Sequence, residues 1–276
     1  MQEFEGRVAV VTGGASGIGL GMCRAFAARS MKVMIADLDD AALAAAATEL
    51  RDKGVEVATQ ACDVSKLEDV QALADATIQT FGAVHVLCNN AGVGIPTSAR
   101  NMKLEDWKWI IDVDLWGPIY GVQAFLPLIE EQDEGHINTT SSMAGLIAAG
   151  TMGAYNVAKH GVVALMASLE RELRYRKSTV HASVLCPGPI NTNISRNSVE
   201  YRPGGRKPGS DSKSAGKIAS GIQDILEQGM DPDAVGELVA GAIAEKKFWV
   251  LTHPHWAKGL QKQLDALRED QSLTRA

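Results

Sequence analysis

Val8-Ala9-Val10-Val11-Thr12-Gly13-Gly14-Ala15-Ser16-Gly17-Ile18-Gly19 is the stretch that decides how this chain folds. An apolar, β-branched run becomes a glycine-rich turn, and Leu20 to Phe26 then continues with a helical pattern. Strand, glycine turn and helix in that order are the context a dinucleotide fingerprint needs. Gly13 permits the tight turn, Gly17 lets backbone approach a pyrophosphate, and Gly19 lets the helix pack close to the strand. Ser16 and Ile18 lie where helix N-terminal amides face phosphate oxygens. The bland alternative is a flexible glycine loop joining a strand to a helix.

Outward from this turn, strand and helix patterns alternate. Strands are expected near 7–12, 32–36, 55–62, 84–88, 135–141, 179–186 and 248–251, and helices near 18–29, 40–53, 67–82, 103–130 and 153–177. Alternation of this kind predicts an α/β protein with a parallel sheet covered by helices on both faces. Right-handed crossovers make it a doubly wound Rossmann sheet, with the ligand crevice at the carboxyl ends of the strands. A chain of 276 residues, 46% apolar, fits one such domain over residues 1–276, and no repeat or linker divides it.

The net charge of −6, from 33 acidic and 27 basic residues, gives no general attraction to nucleic acid or anionic membrane. The polar start, Met1 to Arg7, leads straight into the first strand, so no secretory signal is expected, and no apolar run approaches a membrane span. Cys23, Cys62, Cys88 and Cys186 lack metal or C-x-x-C spacing, and the last three stand at strand ends. They read as buried small residues in a cytoplasmic, reduced protein.

Tyr155 and Lys159 stand four residues apart, one helical turn, and Ser142 precedes the tyrosine by thirteen. A phenol titrating near 10 is a poor acid/base at neutral pH, and a neighbouring cation lowers that value toward the working range. The glycine turn and this tyrosine–lysine pair together resemble the short-chain dehydrogenase/reductase family, in its T-G-x-x-x-G-x-G and Y-x-x-x-K branch. Asn89-Asn90-Ala91-Gly92 resembles the family's N-N-A-G segment, and Pro187-Gly188-Pro189-Ile190-Asn191-Thr192 its P-G-x-x-x-T segment. The resemblance covers residues 5–192 and thins beyond.

It implies a seven-stranded parallel sheet in the order 3-2-1-4-5-6-7 and hydride transfer between a nicotinamide cofactor and an alcohol or ketone. In that chemistry Tyr155 exchanges the proton, Lys159 lowers the tyrosine pKa and holds the nicotinamide ribose, and Ser142 donates to the substrate oxygen. The rival Ser141 suits a strand-end backbone contact instead. Asn90, Ile190 and Thr192 fall in the cofactor-contacting segments. Asp63-Val64, after the third strand, matches the adenine contact, although a strand-end turn aspartate reads the same way. Asp37 ends the second strand eighteen residues after Gly19. A carboxylate there accepts from the ribose hydroxyls and repels a 2′-phosphate, and Leu38, Ala15 and Ser16 supply no cation, so NAD is favoured over NADP.

One position departs from the pattern: Val113-Asp114-Leu115-Trp116-Gly117 carries aspartate where the family's V-N-L-x-G stretch has asparagine. Near Lys159 a buried carboxylate either raises the lysine pKa or is itself protonated. The conservative alternative is a swap that leaves turnover intact. Two rival functions remain: an NAD-retaining epimerase or dehydratase of related fold, and a catalytically weakened NAD-binding protein.

For the substrate, apolar Ile95, Leu146, Ile147, Ala149, Met152 and Ile190 suggest a hydrophobic alicyclic, aromatic or steroid-like alcohol or ketone. Asn193–Lys217 has no sustained apolar period and is read as part of a lid over about 193–230. Its Arg196, Arg202, Arg206, Lys207, Lys213 and Lys217 either meet an acidic substrate group or form a solvated loop. Residues 190–260, notably Gln228 to Pro232 opening a helix, loosely resemble relatives that oxidise benzylic alcohols of lignin-derived aryl ethers. His253-Pro254-His255 reads as a turn beside the pocket or an interface rather than a metal site. Trp107, Trp109 and Trp116 suit core or subunit contact better than substrate stacking. The family implies a homotetramer (a homodimer is the alternative), and the small and apolar residues around helix 153–177 agree.

Overall fold

In the computed structural model, which describes residues 1, 3–205, 221 and 223–269, seven strands form one parallel sheet in the order β3-β2-β1-β4-β5-β6-β7. The strands are β1 (Val8–Thr12), β2 (Lys32–Asp37), β3 (Val57–Ala61), β4 (Val86–Asn89), β5 (Gly135–Thr140), β6 (Val180–Cys186) and β7 (Trp249–Leu251). β1 pairs with both β2 and β4, so the strand order reverses beside it and opens a crevice at the carboxyl ends. The order is the expected one.

Alternation along β1 sends its side chains into two cores. Val10 joins the core beneath α3 (Leu67–Phe81), α5 (Gly117–Glu130) and α6 (Gly153–Tyr175). Ala9 and Val11 join the core beneath α1 (Gly17–Ala27), α2 (Asp40–Arg51) and α8 (Pro232–Ala244). Every residue of β1 is buried, as a central strand covered on both faces requires.

The expected long helix over 103–130 is interrupted. It runs as α4 (Leu104–Ile111), a π-helical turn (Asp112–Trp116) and then α5. Pro118 has no N–H to return to residue 114, and the Gly117 N–H reaches back five residues to the Asp112 carbonyl. The first part of 193–217, a segment without a sustained apolar period, is helical: Ile194–Glu200 forms α7. Residues 206–220, with Arg206, Lys207, Lys213 and Lys217, lie outside the described residues. A further helix, α9 (Ala257–Glu269), follows β7. Among the described residues, no helix is long and apolar enough to cross a membrane.

Candidate active site

The crevice at the switch point is a cleft of about 390 Å³. One end is built by the glycine turn. Gly13 has φ of +61°, and a Cβ there would lie 2.8 Å from the Ala91 backbone, so the turn and the N-N-A-G segment approach as only glycine allows. At Gly19 a Cβ would lie 2.0 Å from the Gly13 carbonyl oxygen, which explains the close packing of α1 on the turn. Ser16 caps α1 without a side-chain cap hydrogen bond, and the first turn of the helix carries no acidic residue. Backbone N–H groups and an unengaged hydroxyl therefore face the cleft, a donor set suited to a pyrophosphate.

Asp37 stands at the end of β2. Its carboxylate accepts from Ala15 N at 3.1 Å and Leu38 N at 2.8 Å, which ties the glycine turn to the second strand. Asp63 lines the cleft and closes a strand-end turn by accepting from Ser65 N at 3.1 Å and Ser65 Oγ at 2.7 Å. Asn90 joins three strand ends, donating to the Thr12 and Gly13 carbonyls and accepting from Thr140 Oγ1 at 3.1 Å.

At the other end Tyr155 and Lys159 project from α6. Lys159 is buried, its Nζ 5.4 Å from the centre of the Tyr155 ring and 3.2 Å from both the Thr140 carbonyl and Asp114 Oδ2. Ser142 caps the 3₁₀ turn Met143–Gly145, its Oγ accepting from Ala144 N at 3.1 Å, and its hydroxyl favours the phenolate of Tyr155. Ser141 donates to the Lys159 carbonyl at 2.8 Å, the strand-end backbone contact expected for it. Burial raises the Tyr155 pKa above that of free tyrosine, and Asp114 adds to the rise against the opposing pull of Lys159 and Ser142. The net direction is opposite to the lowering expected from the lysine alone, because desolvation of a phenolate outweighs one nearby cation whose charge is shared with a carboxylate. Burial disfavours charge on Lys159, but Asp114 and Tyr155 together outweigh it and hold the ammonium's pKa up.

Gly13, Ser16, Gly17, Ile18, Asp37, Asp63, Val64, Asn90, Tyr155, Lys159 and Thr192 all line this cleft. Asp114 and Gly19 are buried behind it, and half-buried Ser142 adjoins Ser141, which does line it. Ile190, expected among the cofactor contacts, is buried in the core under α8 and bridges Met230 through its backbone. None of the six residues expected in an apolar substrate wall is in the lining of this cleft, and Ile95 is fully buried. Trp109, assigned to core or subunit contact, is half-buried in the cleft wall. The start of the segment expected to cover the site does roof the cleft, but its helix and the residues it presents were missed from the sequence: Ile194, Asn197 and Tyr201, one face at helical spacing, look into the cleft. α7 and the residues after it are pinned beside this face, with Gly94 N donating to Ser198 Oγ at 2.8 Å and Arg202 paired with Asp106. His253 lies against Gly188, its Nδ1 2.7 Å from Thr252 Oγ1, which accepts from Gly188 N at 2.9 Å, as a turn beside the site.

The family model described as short chain dehydrogenase matches residues 7–202. A crystal structure of a short-chain dehydrogenase/reductase from Burkholderia phymatum in complex with NAD superposes with a TM-score of 0.95 at 36% identity, covering 100% of this chain and 99% of that one. A 1-deoxy-11-beta-hydroxypentalenate dehydrogenase of Streptomyces exfoliatus is 35% identical over 227 residues, 81% of each chain. A C alpha-dehydrogenase of a Sphingobium species is 30% identical over 269 residues, 97% of this chain and 87% of that protein. The chain therefore belongs to the short-chain dehydrogenase/reductase family and is an oxidoreductase with a Rossmann fold.

Proposed function

We propose that the chain is an NAD-dependent dehydrogenase interconverting a hydrophobic secondary alcohol and its ketone. The observation that carries this reading is the convergence of Ser142, Tyr155 and Lys159 at one end of a cleft whose other end presents Asp37. The bound nicotinamide would supply hydride acceptance or donation. The protein's part is position and proton traffic. Tyr155 exchanges a proton with the substrate oxygen, Ser142 donates to that oxygen, and Lys159 holds the ammonium behind the ring. Asp37, at the ribose end and in no ion pair among the described residues, selects NAD over NADP.

Alicyclic and aromatic alcohols are the substrate classes to try first; the name of the hydroxypentalenate dehydrogenase supports the former and the Trp109 wall the latter. A panel of secondary alcohols with NAD at alkaline pH, followed by NADH absorbance, tests the reaction. Steady NADH formation that disappears in Tyr155→Phe, with NAD affinity kept within a few-fold, is the expected result. NAD that stays bound without net reduction would favour an epimerase or dehydratase instead, and binding without turnover a weakened NAD-binding protein. Trp116 and Val157, exposed on the π turn and α6, support a homotetramer in which a second copy covers this face. A sharp mass near 29.3 kDa by light scattering would refute that assembly. Four buried free thiols suit a cytoplasmic setting.

A further inference from the structure

Asp114 is completely buried; its Oδ1 accepts a hydrogen bond, and its Oδ2, without a hydrogen bond among the described residues, faces the Lys159 ammonium. The π turn places it at the back of the site, where Val93 N donates to Oδ1 at 2.7 Å and Lys159 Nζ stands 3.2 Å from Oδ2. π-helical turns inside α-helices often mark functional positions. Gly92 keeps the space open: a Cβ there would lie 3.3 Å from Lys159 Nζ and 3.4 Å from Asp114 Oδ1. On its far side the ammonium donates to the Thr140 carbonyl at 3.2 Å. Lys159 is thus held from three directions by Asp114, Thr140 and its own helix.

The titratable and charged groups facing this pair are few. α6 contributes Lys159 and Tyr155, the π turn contributes Asp114, and β6 contributes Cys186, with the Ser142 hydroxyl beside the phenol. Burial pushes the Cys186 thiol up to about 12, so it stays neutral. The charge felt by Tyr155 therefore comes from an ammonium and a carboxylate that oppose each other. An asparagine at 114 would leave the ammonium alone, a stronger stabiliser of phenolate in a dry site.

We propose that Asp114 is a positioning residue: it clamps Lys159 as a counter-ion and offsets its field at the Tyr155 hydroxyl, so that this enzyme forms its phenolate at higher pH than an asparagine in the same place would allow. This rests on the acid/base assignment of Tyr155 made above. The direction of oxidation, which needs the phenolate, is thereby biased toward alkaline conditions.

The test is an ultraviolet difference titration of phenolate on the full chain without ligands. The trace of Tyr155→Phe is subtracted to isolate Tyr155 among the four tyrosines. The wild-type midpoint should lie above the value of about 10 for free tyrosine. Asp114→Asn should lower it by roughly one pH unit. An unmoved midpoint in Asp114→Asn overturns the clamp, and so does a wild-type midpoint below that of free tyrosine; the second arm holds even where the variant does not fold. The alcohol panel separates the two readings. Turnover surviving in Tyr155→Phe removes the acid/base assignment and the catalytic meaning of the clamp with it. A silent Tyr155→Phe beside an unmoved Asp114→Asn midpoint overturns the clamp alone.

Discussion

Arg202 and Asp106 form a bidentate ion pair with Nε 2.9 Å from Oδ1 and Nη2 2.7 Å from Oδ2, and both side chains are buried. The pair fastens the residues just after α7 to α4, and so fixes the roof of the cleft. It also reassigns Arg202: a guanidinium held on both prongs by Asp106 is a structural anchor rather than a receptor for an acidic substrate. Arg196, on the exposed side of α7, remains the candidate for that contact within the described residues.

Taking one carboxylate from a buried ion pair is far costlier than changing a surface charge. Asp106→Asn should lower stability by about 3–5 kcal/mol, whereas Arg196→Ala should stay within about 0.5 kcal/mol. Urea denaturation of the two variants measures both. A loss below about 1 kcal/mol for Asp106→Asn would show that the roof does not depend on this pair.

A second prediction concerns Lys159→Met, which keeps length and removes the charge facing Asp114. Burial already pushes the Asp114 carboxyl up, and the lysine is the main force holding it down. Without that force its folded pKa rises further above the unfolded value of about 3.9. A carboxyl of that kind contributes stability below its unfolded pKa and loses it as pH rises through the interval to the folded pKa. The deficit of Lys159→Met relative to wild type should therefore be small near pH 4 and reach about 3 kcal/mol by neutral pH. Thermal unfolding of both proteins across that range decides it; a deficit independent of pH would mean that Asp114 is not buried in the variant.

The fold was legible in the sequence because its determinants are local. The strand–turn–helix around Gly13 and the alternation of apolar runs placed each of the seven strands to within a residue or two. Ser142, Tyr155 and Lys159 were singled out by their spacing taken together with the glycine turn and the family resemblance the two carry. What escaped was set by contacts distant in sequence. α7 is seven residues long and rich in serine and asparagine, so it has little intrinsic preference for helix, and its place depends on Ser198 meeting Gly94 and Arg202 meeting Asp106. Ile190 sits in a recognisable segment, yet its side chain turns into the core because its backbone pairs with Met230. The upward shift of Tyr155 required knowing how deeply the phenol is buried, with Asp114 countering the pull of Lys159.

Asp37 offers a test of cofactor choice with a structural complication. Its carboxylate bonds Ala15 N as well as facing the cleft, so its removal loosens the glycine turn while lifting repulsion of a 2′-phosphate. Asp37→Ala should weaken NAD binding and reduce the NAD/NADP ratio of kcat/KM by about tenfold or more, the equivalent of one charge-assisted hydrogen bond. An unchanged ratio with weakened binding of both cofactors would assign Asp37 to the turn alone.

The last prediction runs against helix propensity. Glycine to alanine inside a helix ordinarily stabilises by about 0.5–1 kcal/mol. Gly21 in α1 and Gly236 in α8 face each other where the two helices cross. A Cβ at Gly21 would lie 2.3 Å from the Pro232 carbonyl oxygen, and one at Gly236 would lie 2.1 Å from that of Gly21. Both obstacles are backbone, so neither can swing aside as a side chain would. Relief requires the helices to separate, which opens space around Met22, Val235 and Val239 in the core beneath them. Gly21→Ala and Gly236→Ala should each destabilise by about 1–3 kcal/mol, while Gly241→Ala, in the same α8 with nothing within 4 Å of its added Cβ, should be neutral or stabilising. Melting temperatures of the three variants supply the comparison. If all three shift upward together, propensity governs these positions and the glycine crossing imposes no packing constraint.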